Sequence, residues 1–349
     1  MTELSIIVPV YQVEQYVRQC MESIFKQGLD DSRFEVIIVN DGTKDQSIDV
    51  IQDIVDQHNN TTIVNQENQG LSMARNNGLT MAKGEYVLMP DSDDMLIENS
   101  LSKLLDVAFS TNADLIVADF LEMTTDEINM SLSKDITQKD GSFVEKTGKQ
   151  LFLEDLNPHQ CYVWRTLYKR QFLLENKLHF IRGIYMQDVP FTHECYLRAS
   201  RCVKISWLLN IYRKGYESIS YIFNMKKAKD YCIVIAKTWE LAKMEDLTPI
   251  ILRKLHDDVF TSFSAMLCIS CHSIVNKSQR IEIIDYLKQT APDLQFKNGC
   301  KQKFSSFLLK HSPHTLMHLR YLYAQLFENH ILPFFRHHVI KCFRLSYSQ

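Results

Sequence analysis

Along the first hundred residues, short apolar runs alternate with stretches whose apolar residues recur at helical spacing. Leu4-Ser5-Ile6-Ile7-Val8-Pro9-Val10 is a run of strand length, after which Val17, Cys20, Met21, Ile24 and Phe25 mark one helix face. Phe34 to Val39 predicts a second strand, closed by Asn40-Asp41-Gly42, and Ser47 to Gln57 a helix carrying Ile48, Ile51 and Val55. Thr61 to Asn65 predicts a third strand, Ser72 to Ala82 a helix stopped by Gly84, and Glu85 to Pro90 a fourth strand. Strands this apolar, separated by helices, predict an α/β fold with a mainly parallel sheet covered on both faces.

Further along, Asp114 to Asp119 predicts a fifth strand, and Met123 to Gly148 is polar enough for an exposed loop or hairpin. Val163 to Tyr168 and Val203 to Tyr212 are strand-like, and beyond about Asn224 the pattern is helical. The expected organisation is therefore an α/β domain over residues 1–223, divided near residue 120, and a helical region over 224–349.

Composition narrows the class without naming it. The 45% apolar and 23% charged fractions are those of a globular protein, and the net charge of −3 gives no sign of nucleic-acid binding. No apolar run reaches the ~20 residues of a membrane span, and Met1-Thr2-Glu3-Leu4 lacks a signal-peptide pattern, so a cytoplasmic location is expected. Nine scattered cysteines fit a reducing compartment, and Cys268-Ile269-Ser270-Cys271, without a second pair, fits buried thiols better than zinc.

The candidate chemistry lies where the strands end. Tyr11, Asp41, Asn68 and Asp91 follow strands one to four, and in parallel sheets ligands bind beyond those ends. Asp91-Ser92-Asp93-Asp94 places three carboxylates together, which repel one another unless a cation sits between them. The alternative for this tetrapeptide is a solvated capping turn.

Taken in order, four segments resemble the family 2 glycosyltransferases, enzymes of the GT-A fold that use nucleotide-activated sugars. They are Ser5 to Tyr11, Val39 to Asp45, Asn68-Gln69-Gly70-Leu71-Ser72-Met73-Ala74-Arg75-Asn76-Asn77-Gly78, and Asp91 to Asp94. The resemblance is strong over about residues 4–120 and looser to about 220. It implies that Pro9 and Tyr11 shape the base pocket, with Glu14 near the nucleoside and Asp41 accepting from the base. Asn68, Gly70 and Arg75 would border the nucleotide, Asp91 would approach ribose or metal, and Asp93 would be the main ligand of Mn²⁺ or Mg²⁺.

In the family's later acidic motif this chain has Gln187-Asp188, where Glu is common at the first position. The resemblance makes Asp188 the catalytic base, with His193 as runner-up, in an inverting displacement. Arg213, Lys214 and Ser218 match a loop that folds over the diphosphate, and Trp164 matches a position near the acceptor. The implied partners are a nucleotide-sugar donor, UDP-linked by family habit, and a saccharide or lipid-linked acceptor of surface polysaccharide or glycolipid synthesis. The Gln-x-x-Arg-Trp motif of the processive branch is missing, which favours addition of one sugar per encounter. Two other readings are a sugar nucleotidyltransferase, for which no Gly-rich triphosphate loop follows strand one, and a binding module without turnover.

From Lys301 onward seven Lys and Arg stand against one Glu, interleaved with Phe and Leu. Such a stretch suits peripheral contact with the inner face of an anionic membrane, a helical cap or a homo-oligomer contact.

Overall fold

The computed structural model describes residues 2–131, 136–215, 224–273 and 276–323. The chain divides into two compact units, Met1–Leu156 with Tyr162–Glu217, and Asn157–Cys161 with Ser218–Gln349.

In the first unit the order is β1 (Leu4–Val10), α1 (Val17–Phe25), β2 (Phe34–Asn40), α2 (Gln52–Gln57), β3 (Thr61–Asn65), α3 (Leu71–Met81), β4 (Tyr86–Leu88), β5 (Met95–Leu96) and α4 (Leu101–Thr111). Then come β6 (Leu115–Thr124), α5 (Thr125–Ser131), β7 (Phe143–Lys146), α6 (Gly148–Glu154), β8 (Thr166–Lys169), α7 (Arg170–Glu175), α8 (Asp188–Arg198) and β9 (Cys202–Lys214). Among the described residues these strands form one sheet in the order β3-β2-β1-β4-β8-β6-β9-β5, with β7 on β9. The pairs β1–β2, β1–β4, β2–β3 and β6–β9 are parallel, and β8, β5 and β7 enter antiparallel. The sheet is thus mixed and mostly parallel in its first half.

β1 explains why the fold centres where it does. All seven of its residues are buried, since β2 and β4 flank it and helices cover both faces. Each buried Ile or Val there contributes about 1.5–3 kcal/mol. α3 lies so close that a Cβ on Gly78 would come within 2.3 Å of Ile7 Cγ2. Any larger residue at 78 would push α3 off β1, and with it the site residues that α3 carries.

Several elements depart from the sequence expectation. The helix expected from Ser47 starts its α-helical part at Gln52, because residues 49–51 form a 3₁₀ turn and the Ser47 hydroxyl accepts from Val13 N. The stretch 123–148 holds α5 and β7 rather than loop alone; Phe143 and Val144 pair with Ile205 and Lys204 while staying exposed, so no apolar alternation marked the strand.

The second unit carries α9 (Met225–Glu240), α10 (Pro249–Ser273), α11 (Lys277–Thr290), α12 (Gly299–His311) and α13 (Pro313–Tyr323). Leu255, Val259, Phe263, Met266, Ile283, Ile284 and Leu287 form its buried side. Cys271 is buried beside Met317, 3.7 Å between sulfurs, and Cys268 is half-buried. No described helix is long and apolar enough to cross a membrane.

Candidate active site

Two loops at the ends of β1 and β2 are stitched together before any ligand arrives. Asp45 accepts from the Thr43 and Ser47 hydroxyls at 2.6 Å each and from Glu14 N at 3.2 Å. Thr43 Oγ1 accepts from Gln12 N at 2.8 Å, and Glu14 returns a carboxylate to Gln46 N at 3.0 Å. Side chains of this kind satisfy the amides that a turning backbone leaves open. Asp45 is therefore the organiser of this loop, a role whose signal in the sequence is the Thr-x-Asp-x-Ser spacing.

Asp41 closes the next loop. Its carboxylate, 2% exposed, accepts from Gln66 Nε2 at 2.7 Å, Gln69 N at 2.8 Å and Gly70 N at 2.8 Å. Three of about four acceptor positions are thus committed, which leaves room for one further donor. Gly70 sits at φ +85°, and there the chain turns into α3. Asn68 is exposed on this loop, Tyr11 is half-buried after β1, and Pro9 is buried within β1 opposite Val39.

The Asp91–Asp94 turn is built differently. Asp91, Asp93 and Asp94 each offer an oxygen within 4.8 Å of the others. Arg75, on α3 and 2% exposed, donates to Asp91 Oδ1 and lies 5.4 Å from the Phe180 ring centroid. Asp94, 1% exposed, accepts from Arg213 N at 2.8 Å through one oxygen, while its Oδ2 is buried without a hydrogen-bond partner. Burial, then the neighbouring Asp93 and Asp91 charges, pushes the Asp94 carboxyl well above the ordinary range. Burial likewise pushes Asp91 up to about 6, with Arg75 opposing and Asp93 and Asp188 adding to the rise.

Asp188 begins α8, and Met186 before it adopts φ +57°. Its half-buried carboxyl is pushed up by burial and pulled down by Arg75, then by backbone amides of its own turn and by His193. Arg75 thus faces both carboxylates, and the Asp188 charge reaches Asp91. His193 is fully buried, with Nδ1 2.8 Å from Val189 O and its ring edge-on to Phe152, in a core position. Gln187 is 4% exposed, and its Oε1 is buried without a partner.

Other expected residues occupy different surroundings from those foreseen. Arg213 was expected on a loop above the diphosphate. It lies within β9, 1% exposed, donating from Nε to Asp93 O at 2.8 Å and from NH2 to Gln19 Oε1 at 2.7 Å, over the Tyr16 ring. Two basic residues in sequence suggest exposure, yet this guanidinium serves to hold the aspartate turn to β9. Lys214, at the end of the strand, pairs with Glu122, and Ser218 lies outside the described residues. Trp164 is 2% exposed, stacked on Tyr162 at 4.7 Å and Tyr212 at 5.6 Å, with Phe120 edge-on. Its indole is buried in this aromatic cluster, Tyr162 and Tyr212 lying 5.5 Å from each other, so it packs against neighbouring aromatics.

A divalent cation fits the donors present. Three carboxylates converge within 4.8 Å, one buried oxygen has no hydrogen bond, and two of the three are held back from ionising mainly by burial, with mutual repulsion adding to it. Oxygen donors of this kind suit hard cations such as Mg²⁺ or Mn²⁺.

A parallel half joined to a mixed half, with an acidic turn at the junction, is the arrangement of the sugar-nucleotide transferases of the GT-A type, and the comparisons with known proteins agree. The profile "Glycosyl transferase family 2" matches residues 5–174. Glycosyltransferase GlyG of Streptococcus pneumoniae is 30% identical over 251 residues, 68% of this chain and 80% of GlyG. The uncharacterized glycosyltransferase EpsJ of Bacillus subtilis is 30% identical over 230 residues, and the match spans 63% of each protein. The minor teichoic acid biosynthesis protein GgaA of B. subtilis is 28% identical over 237 residues, 64% of this chain and 50% of GgaA. The crystal structure of S. aureus TarS 1–349 in complex with UDP-GlcNAc has a TM-score of 0.72 at 19% identity, covering 93% of this chain and 92% of that one. Mannosyltransferase PcManGT from Pyrobaculum calidifontis, in complex with GDP-Man and Mn²⁺, has a TM-score of 0.51 at 14% identity, over 92% and 87%. The chain spans less than two thirds of EpsJ; it belongs to glycosyl transferase family 2 and has the GT-A fold.

Proposed function

We propose that this enzyme moves one sugar from a UDP-linked donor to a saccharide or lipid-linked saccharide, with inversion, in the synthesis of a bacterial cell-surface polymer. The observation that carries it is the convergence of Asp91, Asp93 and Asp94 with Arg75 and Asp188 beside the nucleotide-side loops. The UDP-GlcNAc complex of TarS supports the donor class, and the names of GgaA and other relatives support the polymer.

Asp93 and Asp91 would hold Mn²⁺ or Mg²⁺, with Asp94 Oδ2 in reach of the same cation. Bound there, the cation would neutralise charge growing on the leaving diphosphate. Asp41 holds the Gln69-Gly70 loop in place and keeps one acceptor position for an N–H of the base. Tyr11, Asn68, Gly70 and Glu14 line or brace this nucleotide side. Arg75 orients Asp91 and steadies negative charge between it and Asp188.

Asp188 takes the proton of the acceptor hydroxyl as that oxygen attacks the anomeric carbon. The bond from that carbon to the diphosphate oxygen breaks, and UDP leaves with the electron pair. A raised carboxyl pKa makes Asp188 a better proton acceptor near neutrality than an ordinary surface aspartate.

The test is release of UDP from a panel of UDP-sugars with Mn²⁺ or Mg²⁺, with and without a chelator. Chelator-sensitive release from one or a few donors is expected. Equal release in excess chelator would rule out the metal-dependent mechanism, and release only from GDP- or dTDP-sugars would overturn the donor class.

A further inference from the structure

In α12 and α13 large apolar residues lie on the exposed side as well as on the buried one. Gln302, Leu308, Leu309, Leu316 and Met317 are buried, and the Gln302 amide donates to Asp257 at 2.6 Å. Phe304 and Phe307, three residues apart on α12, are each 58% exposed, and Leu319 and Leu322 on α13 are 45% and 38% exposed. Solvent-facing aromatic pairs of this size are uncommon on a protein surface without a partner.

Charge says what that partner is. Lys301, Lys303 and Lys310 are exposed beside the two phenylalanines. From Gly299 to Tyr323 the chain carries four Lys and Arg and no Asp or Glu. Of the acidic groups packed against these helices, Asp257 accepts from the buried Gln302 amide, and Asp285 pairs with the exposed His314 at 3.0 Å. A protein partner would need a cavity for two phenyl rings and acidic residues around it. An anionic bilayer supplies both at once, apolar depth for the rings and phosphate charge for the lysines.

We propose that the exposed face of α12 is a docking surface for an anionic lipid bilayer. Phe304 and Phe307 enter the interface, and Lys301, Lys303 and Lys310 meet lipid phosphates. This surface lies wholly in the helical unit and stands apart from the assignment of the active site.

The test is co-sedimentation of the full chain with vesicles of phosphatidylcholine alone or rich in phosphatidylglycerol, over a salt series. Binding only to the anionic vesicles, weakened by salt, is expected. Phe304→Ser with Phe307→Ser should reduce it about tenfold or more, and the triple change Lys301→Glu, Lys303→Glu, Lys310→Glu should abolish it. All these positions are exposed, and an unchanged far-UV spectrum would verify the fold. Failure of the wild type to pellet with anionic vesicles overturns the proposal, as does binding that both variants retain. Sizing of the wild type and the Phe304→Ser/Phe307→Ser variant completes it: self-association lost in the variant, without a change in vesicle binding, would assign the face to a second copy instead.

Discussion

Asp41 and Asp94 are equally buried carboxylates at the same end of one sheet, yet they have opposite surroundings. Asp41, 2% exposed, accepts three hydrogen bonds, two from the backbone of the loop it holds. Asp94, 1% exposed, accepts one from Arg213 N, keeps a buried oxygen unpartnered and shares its turn with two more carboxylates. The first is already supplied with donors, with one acceptor position left over. The second is short of donors, and there the proposed cation would add positive charge. Burial of an acid therefore does not mark a working site by itself; what marks it is a shortage of donors combined with like charge nearby.

The largest effect is expected from the acid that touches neither group of bonds. Asp188→Asn should lower transfer about 10²–10⁴-fold while UDP affinity stays within about twofold, read from kcat and from direct UDP titration. Wild-type turnover in this variant would remove Asp188 from the mechanism.

Next, neutralising the two buried acids should separate them. Asp41→Asn leaves donors facing an amide and should cost about 2–4 kcal/mol of stability. Asp94→Asn removes a repelled charge, so the cation-free protein at pH 7 should be unchanged or more stable, as read by urea midpoints. Equal losses in both variants would erase the distinction.

A smaller effect concerns pH. A carboxyl whose folded pKa lies above its unfolded value binds more protons when folded, so stability falls as pH rises between the two values. For Asp91 that window runs from about 4, the unfolded value, to about 6 in the fold. Cation-free protein should lose on the order of 1 kcal/mol across it, and Asp93→Asn should flatten the slope. The smallest effect belongs to Trp164, buried in an aromatic cluster with Tyr162 and Tyr212. Trp164→Phe should cost less than about 2 kcal/mol and leave the acceptor KM unchanged. A large KM rise would restore it to the acceptor site.

The parallel half was legible because each strand is a continuous apolar run ending in a polar cluster, so β1, β2 and β3 fall where the pattern places them. The mixed half was less so. β5 is two residues long, and β7 exposes Phe143 and Val144 at the sheet edge, so neither shows alternation. At the site, residue identity and order were visible, but the division of labour was not. Arg213 looks like a surface cation until Asp93 O, Gln19 and Tyr16 are brought round it by β9 and α1. Asp41 reads in the sequence as a ligand for a base, and its second task, holding the Gln69 and Gly70 amides 28 and 29 residues on, shows only in the fold. Long-range hydrogen bonds of this kind leave no trace in local pattern.

The central claim is that the Asp91–Asp94 turn, and not Asp41, is where positive charge completes the enzyme. Titrating Mn²⁺ into wild type, Asp93→Asn and Asp41→Asn in the presence of UDP, followed by calorimetry, tests it most directly. Saturable Mn²⁺ binding in wild type and Asp41→Asn, lost in Asp93→Asn, is the predicted result. Retention of wild-type Mn²⁺ affinity by a folded Asp93→Asn would contradict it.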